Sequence, residues 1–91
     1  MALNINKNLR NLESYSKMNQ YDAVGIAEGW IEPESQQETL VAWQILVDTE
    51  LVWTLQGMFG RAAHDLLELG LIDKANKRAY TKSRYEKNES D

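Results

Sequence analysis

The chain has 91 residues, of which 43% are apolar and 26% charged, and its 14 acidic and 10 basic residues give a net charge of −4. This length and composition predict one small folded domain and exclude a multidomain enzyme, a collagen-like chain and a wholly disordered chain. The absence of cysteine and the single histidine exclude disulfide frameworks, thiolate metal sites and histidine-rich metal sites.

The first segment, residues 1–17, is predicted as an N-terminal arm or a short helix. Its apolar residues recur at helical spacing, although its four asparagines are also typical of a frayed end. The apolar residues are Ala2, Ile5, Leu9 and Leu12. The first ten residues contain no apolar run of the signal-peptide kind, and no stretch of the sequence reaches the ~18 apolar residues that a membrane span needs. We therefore expect a cytoplasmic protein with no membrane partner.

The second segment, residues 18–72, is predicted as the helical core domain because about half of its residues are apolar. It carries nine acidic residues and one basic residue, Arg61, so its net charge is −8. Binding to a phosphate backbone depends on several lysine and arginine side chains, so this segment does not suit it. The first helix of the core is predicted at about residues 17–30. Ser16 or Asn19 is expected as its N-cap.

The second helix is predicted at residues 35–48, because Ser35 and Glu38 have the spacing of a capping box. In this motif the serine accepts a hydrogen bond from the third helical amide, and the glutamate reaches back to the start of the helix. At the end of this helix, Asp48 or Thr49 is expected to cap a further helix. We favour that role over the binding of a cation by these oxygens.

The third helix is predicted at residues 51–69 and carries an amphipathic stripe. The stripe consists of Val52, Leu55, Phe59, Ala62, Leu66 and Leu69. Gly57 and Gly60 lie inside it, and each costs ~1 kcal/mol relative to alanine in a helix interior. Close approach of another helix backbone would offset this cost. Gly29 and Gly70 are expected to end the first and third helices in the left-handed conformation.

The predicted fold is therefore all-α, a helical hairpin of residues 35–48 and 51–69 with the helix at 17–30 packed across it. Trp43 and Trp30 are expected in its core. A core of this size buries only ~60% of its unfolded surface, so a homodimer that covers the remaining apolar surface is an alternative to a monomer.

The third segment, residues 73–91, holds six basic and four acidic residues and is predicted as a flexible, charged C-terminal extension. One interpretation is a solvated tail. The alternative is a nucleic-acid-binding segment, because basic groups interleaved with aromatic rings bind single strands by charge and stacking. The residues of that alternative are Lys74, Lys77, Arg78, Tyr80, Lys82, Arg84 and Tyr85.

The stretch LVDTELVWTLQGMFGRAA at residues 46–63 resembles a motif close to LVDTGLVWxLQGxFGRxA in a family of short, uncharacterised tailed-phage proteins. The resemblance covers roughly residues 20–72, and its most specific part is LQGxFGR at residues 55–61. It implies a phage origin and a helical hairpin, and it implies no chemistry. Glu50 stands where the motif has glycine, which argues against a sharp turn there and favours a tighter junction or a kink.

No catalytic, cofactor or metal site is predicted. Arg61 and Asp65 are four residues apart, and so are His64 and Glu68. These pairs indicate a solvated polar helix face rather than an acid–base cluster. The two glycines mark a contact, either within the fold, which we favour, or with a partner. For Trp53 we favour a core position, and the alternative is an exposed tryptophan that acts as a binding hot spot. The predicted protein-binding residues are Trp53, Gln56, Gly57, Gly60, Arg61 and His64.

The predicted function is that of a small non-enzymatic, phage-encoded accessory protein that binds and modulates a host or phage protein. The alternative is a nucleic-acid-associated accessory protein that binds through the basic C-terminal segment. Binding through that segment would weaken steeply with salt, because it would depend on neutralising phosphates.

Overall fold

The computed structural model describes residues 9–80. Residues 82, 84 and 85 of the predicted nucleic-acid-binding set and residues 1–8 of the predicted N-terminal arm lie outside this range. The described residues form four α-helices and two 3-10 turns without a strand, which confirms the all-α class. The helices are α1 (Glu13–Lys17), α2 (Gln20–Glu28), α3 (Gln36–Asp48) and α4 (Gly57–Glu68), and the 3-10 turns are Leu9–Asn11 and Leu51–Thr54.

Helix α3 is the centre of the fold, and every residue from Val41 to Asp48 is buried. Helix α2 packs along it, and α1 and both 3-10 turns also lie against it. Trp43 is in the core, as predicted, and its ring packs against that of Phe59 with centroids 6.2 Å apart. Trp30 is not in the core, because 51% of it is exposed beyond the end of α2.

Two helix starts follow the predicted capping chemistry. The Ser35 hydroxyl accepts a hydrogen bond from the Glu38 amide at 3.1 Å, and the Glu38 carboxylate accepts one from the Glu34 amide at 2.7 Å. The Asn19 side chain accepts from the Asp22 amide at 2.7 Å. Helix α2 therefore starts later than predicted, at residue 20, because Asn19 occupies the extended N-cap conformation.

Gly29 and Gly70 end α2 and α4 as predicted, with φ of 94° and 77°. After α4, the Gly70 amide donates to the Leu67 carbonyl and the Leu71 amide donates to the Leu66 carbonyl, at 3.1 and 3.0 Å. This pair of bonds is a Schellman motif, which needs a left-handed residue that glycine adopts without steric cost.

The prediction of one continuous helix at residues 51–69 is wrong for residues 51–56. Glu50 is left-handed with φ 64°, Leu51–Thr54 is a 3-10 turn, and Leu55 and Gln56 are extended before α4 begins. The sharp turn at Glu50 is thus present despite the missing glycine. Leu69 is also outside the predicted buried stripe, because it is 68% exposed.

The two ends of the described chain pack onto the core. Leu9 and Tyr15 are buried on the N-terminal side, and Ile72 and Tyr80 are buried on the C-terminal side. Residues 73–80, predicted as part of a flexible extension, are therefore held against the fold. None of the described helices has both the length and the apolar content needed to cross a bilayer.

Candidate protein-interaction surface

The second 3-10 turn and α4 place the predicted protein-binding residues on one exposed surface. Residues 57, 60, 61 and 64 are three, four and seven apart in α4, so they share a face of that helix. All of the set are exposed except Gly60, which is half-buried. We call this surface the Trp53 face, and it consists of Trp53, Gln56, Gly57, Gly60, Arg61 and His64.

Trp53 lies over Gly60 while half of its surface remains open to solvent, so the favoured core position of Trp53 is wrong. A Cβ atom placed on Gly60 would lie 3.5 and 3.6 Å from two atoms of the Trp53 six-membered ring, and the exposed fraction of Trp53 is 50%. In a continuous helix, residues seven apart are about 10 Å apart along the axis. Here the helix is interrupted at Leu55 and Gln56, and the chain changes direction between Trp53 and α4. This change of direction is what allows the Trp53 ring to reach Gly60.

The described fold does not require glycine at either position of the Trp53 face. A Cβ atom on Gly57 would meet nothing within 4 Å, and one on Gly60 would make ordinary van der Waals contact. Neither glycine has a positive φ. The predicted close approach of another helix backbone is therefore wrong within residues 9–80. A glycine in the interior of α4 still costs ~1 kcal/mol relative to alanine, so its presence calls for a reason outside the described fold.

The charges beside this face are solvated. Within the described residues Arg61 forms no ion pair with Asp65, while His64 Nδ1 lies 3.8 Å from a Glu68 carboxylate oxygen. Donor atoms of His64, Asp65 and Glu68 lie within 4.8 Å of one another, a spacing that a metal ion could bridge. All three side chains are exposed on one helix, and exposed acidic groups are common without a bound ion, so we assign no metal site to this group.

A buried polar cluster around Asp48 is the feature that the sequence analysis missed. The sequence predicts Asp48 or Thr49 as the cap of a further helix, but Asp48 is the last residue of α3 and is fully buried. Arg10 donates two hydrogen bonds to its carboxylate, at 2.8 and 2.9 Å, and the Tyr15 hydroxyl donates a third at 2.6 Å. The Gln44 side chain and the Asn76 amide donate two more, at 3.1 and 2.9 Å.

This cluster joins three distant parts of the chain and leaves the Asp48 carboxylate saturated with donors. Burial of Tyr15, together with its hydrogen bond to Asp48, raises the pKa of the Tyr15 hydroxyl well above its ordinary value. The hydrogen bond to Asp48 likewise raises the pKa of Arg10. A buried carboxylate whose lone pairs are occupied is poorly placed to accept a proton from a substrate, so we interpret the cluster as structural. One sequence signal could have indicated that Asp48 is buried: this aspartate directly follows the apolar run Ile45–Val47.

The basic C-terminal segment is only partly accessible. Lys74 and Arg78 are exposed, and Lys77 Nζ lies 3.8 Å from a Glu50 carboxylate oxygen. Tyr80 is buried, and its hydroxyl donates to the Met18 carbonyl at 2.6 Å. Its ring meets that of Tyr15 edge-on, with centroids 5.6 Å apart. Burial removes Tyr80 from any surface on which a nucleic-acid base could stack.

A family model described as a domain of unknown function (DUF7417) matches residues 29–87, which is 59 of the 91 residues. The match includes α3, the second 3-10 turn and α4, and therefore the whole Trp53 face. No curated protein matches the chain. No solved structure matches it either.

Proposed function

The chain belongs to the DUF7417 family, and we propose that it is a small non-enzymatic accessory protein that binds another protein through the Trp53 face and modulates it. The motif resemblance at residues 46–63 supports a tailed phage as its source. On this proposal the partner is a host or phage protein in the cytoplasm of the infected cell.

The observation that carries the proposal is the combination of an ordered, half-exposed tryptophan with two glycines that the described fold does not need. Tryptophan and arginine are enriched among the residues that dominate binding energy at protein interfaces. A glycine on an exposed helix face lets a partner backbone approach more closely than any side chain would. Arg61, without an ion pair in residues 9–80, is placed to meet a carboxylate of that partner.

The nucleic-acid alternative has weaker support from the same structure. Of its seven predicted residues, three lie outside the described range, Tyr80 is buried and Lys77 lies near Glu50. Lys74 and Arg78 alone provide little phosphate neutralisation, because binding to nucleic acid strengthens with each phosphate that is contacted.

The test is affinity purification of the tagged chain from infected cells, in low and high salt and with nuclease. The key variant is Gly57→Ala/Gly60→Ala, since both methyl groups fit the described fold. We expect this variant and Trp53→Ala to lose a stoichiometric protein partner that the wild type retains in high salt. Gln37→Ala, at an exposed position of α3, is the control and should retain the partner.

Retention of the same partner by the glycine variant would overturn the proposed role of the Trp53 face. Recovery of nucleic acid alone, lost at high salt, would instead favour the alternative function. Sedimentation of the purified chain adds a separate readout: a dimer that the glycine variant dissociates would identify the partner as a second copy of this chain.

A further inference from the structure

A second surface, remote from the Trp53 face in sequence, has the form of an open cleft. Its volume is about 580 Å³, and it lies between α1, α2 and the segment that leads into α3. Met18, Ile26 and Ile31 form its apolar part. The carboxylates that line it belong to Glu13, Asp22, Glu32, Glu34 and Glu38. We call this surface the acidic cleft.

Among residues 9–80, few basic side chains compensate the negative charge of the acidic cleft. From residue 18 to residue 60 the chain has seven acidic residues and no lysine, arginine or histidine. Lys17 is the one basic residue that lines the cleft, and its Nζ lies 3.1 Å from a Glu13 carboxylate oxygen. Asp22, Glu32 and Glu34 make no ion pair with any residue from 9 to 80. Carboxylates gathered around an apolar floor attract a cation that also carries apolar groups.

Two exposed aromatic residues are the chain neighbours of cleft residues. Tyr21 and Trp30 are 66% and 51% exposed, and their rings meet edge-on with centroids 5.0 Å apart. The Trp30 indole N–H also donates to the Glu28 carboxylate at 2.8 Å, which fixes the ring while its surface stays open. These two aromatics directly precede the cleft residues Asp22 and Ile31 in the chain. Exposed aromatic faces beside carboxylates attract lysine and especially arginine side chains.

We propose that the acidic cleft binds a cationic segment of a partner protein, with lysine or arginine side chains on its carboxylates and one apolar side chain on its floor. We choose this occupant because its positive charges complement the carboxylates of the acidic cleft. A nucleic acid or an anionic lipid surface would be repelled by the same carboxylates, and a purely polar cation would leave the apolar floor unused. The proposal does not depend on the Trp53 face.

The probe is a short fluorescein-labelled peptide rich in lysine and arginine with one central leucine, titrated with the full chain and followed by anisotropy. We expect Glu32→Gln/Glu34→Gln to weaken its binding by about tenfold, because each variant side chain removes one attractive charge. The control is Asp65→Asn/Glu68→Gln on α4, which changes the net charge equally and should bind like the wild type. Replacement of the peptide leucine by serine should also weaken binding, and Trp53→Ala should not.

Equal weakening by the two double variants would overturn the proposal, since the peptide would then respond to net charge alone. Equal affinity of the leucine and serine peptides would overturn it as well, because the apolar floor would have no role. If spermine or calcium bound as tightly as the peptide, the proposal would also be overturned, and the cleft would be a site for small cations.

Discussion

Glu50 is the single non-glycine residue with a positive φ among residues 9–80, and it forms the turn that follows α3. A left-handed conformation costs an L-residue roughly 1–2 kcal/mol. The resembling motif has glycine at this position, and glycine adopts the conformation freely. We therefore expect Glu50→Gly to raise the free energy of unfolding by about 0.5–1 kcal/mol, after the larger unfolded-state entropy of glycine is subtracted. Denaturant titration measures this change.

The ion pair of Glu50 with Lys77 is the competing contribution at this position. The two charged atoms are 3.8 Å apart and both side chains are exposed, so the pair is worth at most about 1 kcal/mol. The matched control is Glu50→Gln, which removes the charge of the side chain but keeps the cost of a left-handed L-residue. A glycine variant less stable than the glutamine variant would show that the turn is not strained.

Tyr15 makes the stability of the fold sensitive to alkaline pH. Burial and the hydrogen bond to Asp48 raise the pKa of Tyr15, whereas in the unfolded chain its hydroxyl ionises near the ordinary pKa of about 10. The unfolded state therefore loses this proton first. The stability contributed by Tyr15 is complete below about pH 10 and declines above it, by up to about 1.4 kcal/mol per pH unit.

The variant Tyr15→Phe separates this effect from other titrations. We expect it to be less stable than the wild type at pH 7 by about 1.5–3 kcal/mol, because the hydrogen bond to the Asp48 carboxylate is lost. Thermal melts between pH 8 and pH 12 should then show a shallower alkaline decline in the variant. If the melting temperatures of both proteins fell in parallel above pH 10, a group other than Tyr15 would control the loss of stability at alkaline pH.

At the scale of elements, two glycines in helices have opposite roles. Gly25 in α2 faces Ile31, and a Cβ atom there would lie 2.7 Å from Ile31 Cγ1 and 3.2 Å from Ile31 Cβ. We expect Gly25→Ala to destabilise the fold by about 1–3 kcal/mol through overpacking. Gly60→Ala should instead be neutral or stabilising by up to about 1 kcal/mol, since the helix propensity of alanine is higher. Equal losses of stability in the two variants, measured by denaturant titration, would contradict this reading of the packing.

Helix ends were predictable from sequence where a single local motif determines them. Ser35, Gly29 and Gly70 all do what their side chains, or the lack of one, favour locally. The break at Leu55 and Gln56 was not predictable in this way, because neither residue is a helix breaker and the apolar stripe continues across them. The two glycines of the Trp53 face were predicted to mark a contact, either within the fold or with a partner. That no other described helix covers them follows from the tertiary placement of α4, which the sequence pattern does not report.

At the scale of the whole molecule, the Asp48 cluster could not be predicted from the sequence, because it depends on how distant parts of the chain come together. Gln44 is a local donor, four residues from Asp48. The other donors, Arg10, Tyr15 and Asn76, are 38, 33 and 28 residues away, and local patterns do not report contacts over such separations. Gln44 extends the connection, since its side chain bonds both the amide and the carbonyl of Asp73, at 2.7 and 2.9 Å. One buried carboxylate thus ties both ends of the described chain to α3.

From these contacts we predict that residues 18–72, the predicted core domain, do not fold as a self-sufficient unit. Their isolation would remove Arg10, Tyr15 and Asn76, which donate four of the five hydrogen bonds to the Asp48 carboxylate. Breaking a buried ion pair costs about 3–5 kcal/mol. Small domains are stable by only about 5–15 kcal/mol. We therefore expect the 18–72 fragment to lack a cooperative thermal transition by circular dichroism. A fragment ending at residue 80 retains every contact described and should keep the transition. Cooperative unfolding of the 18–72 fragment near the melting temperature of the full chain would show that the Asp48 cluster is dispensable.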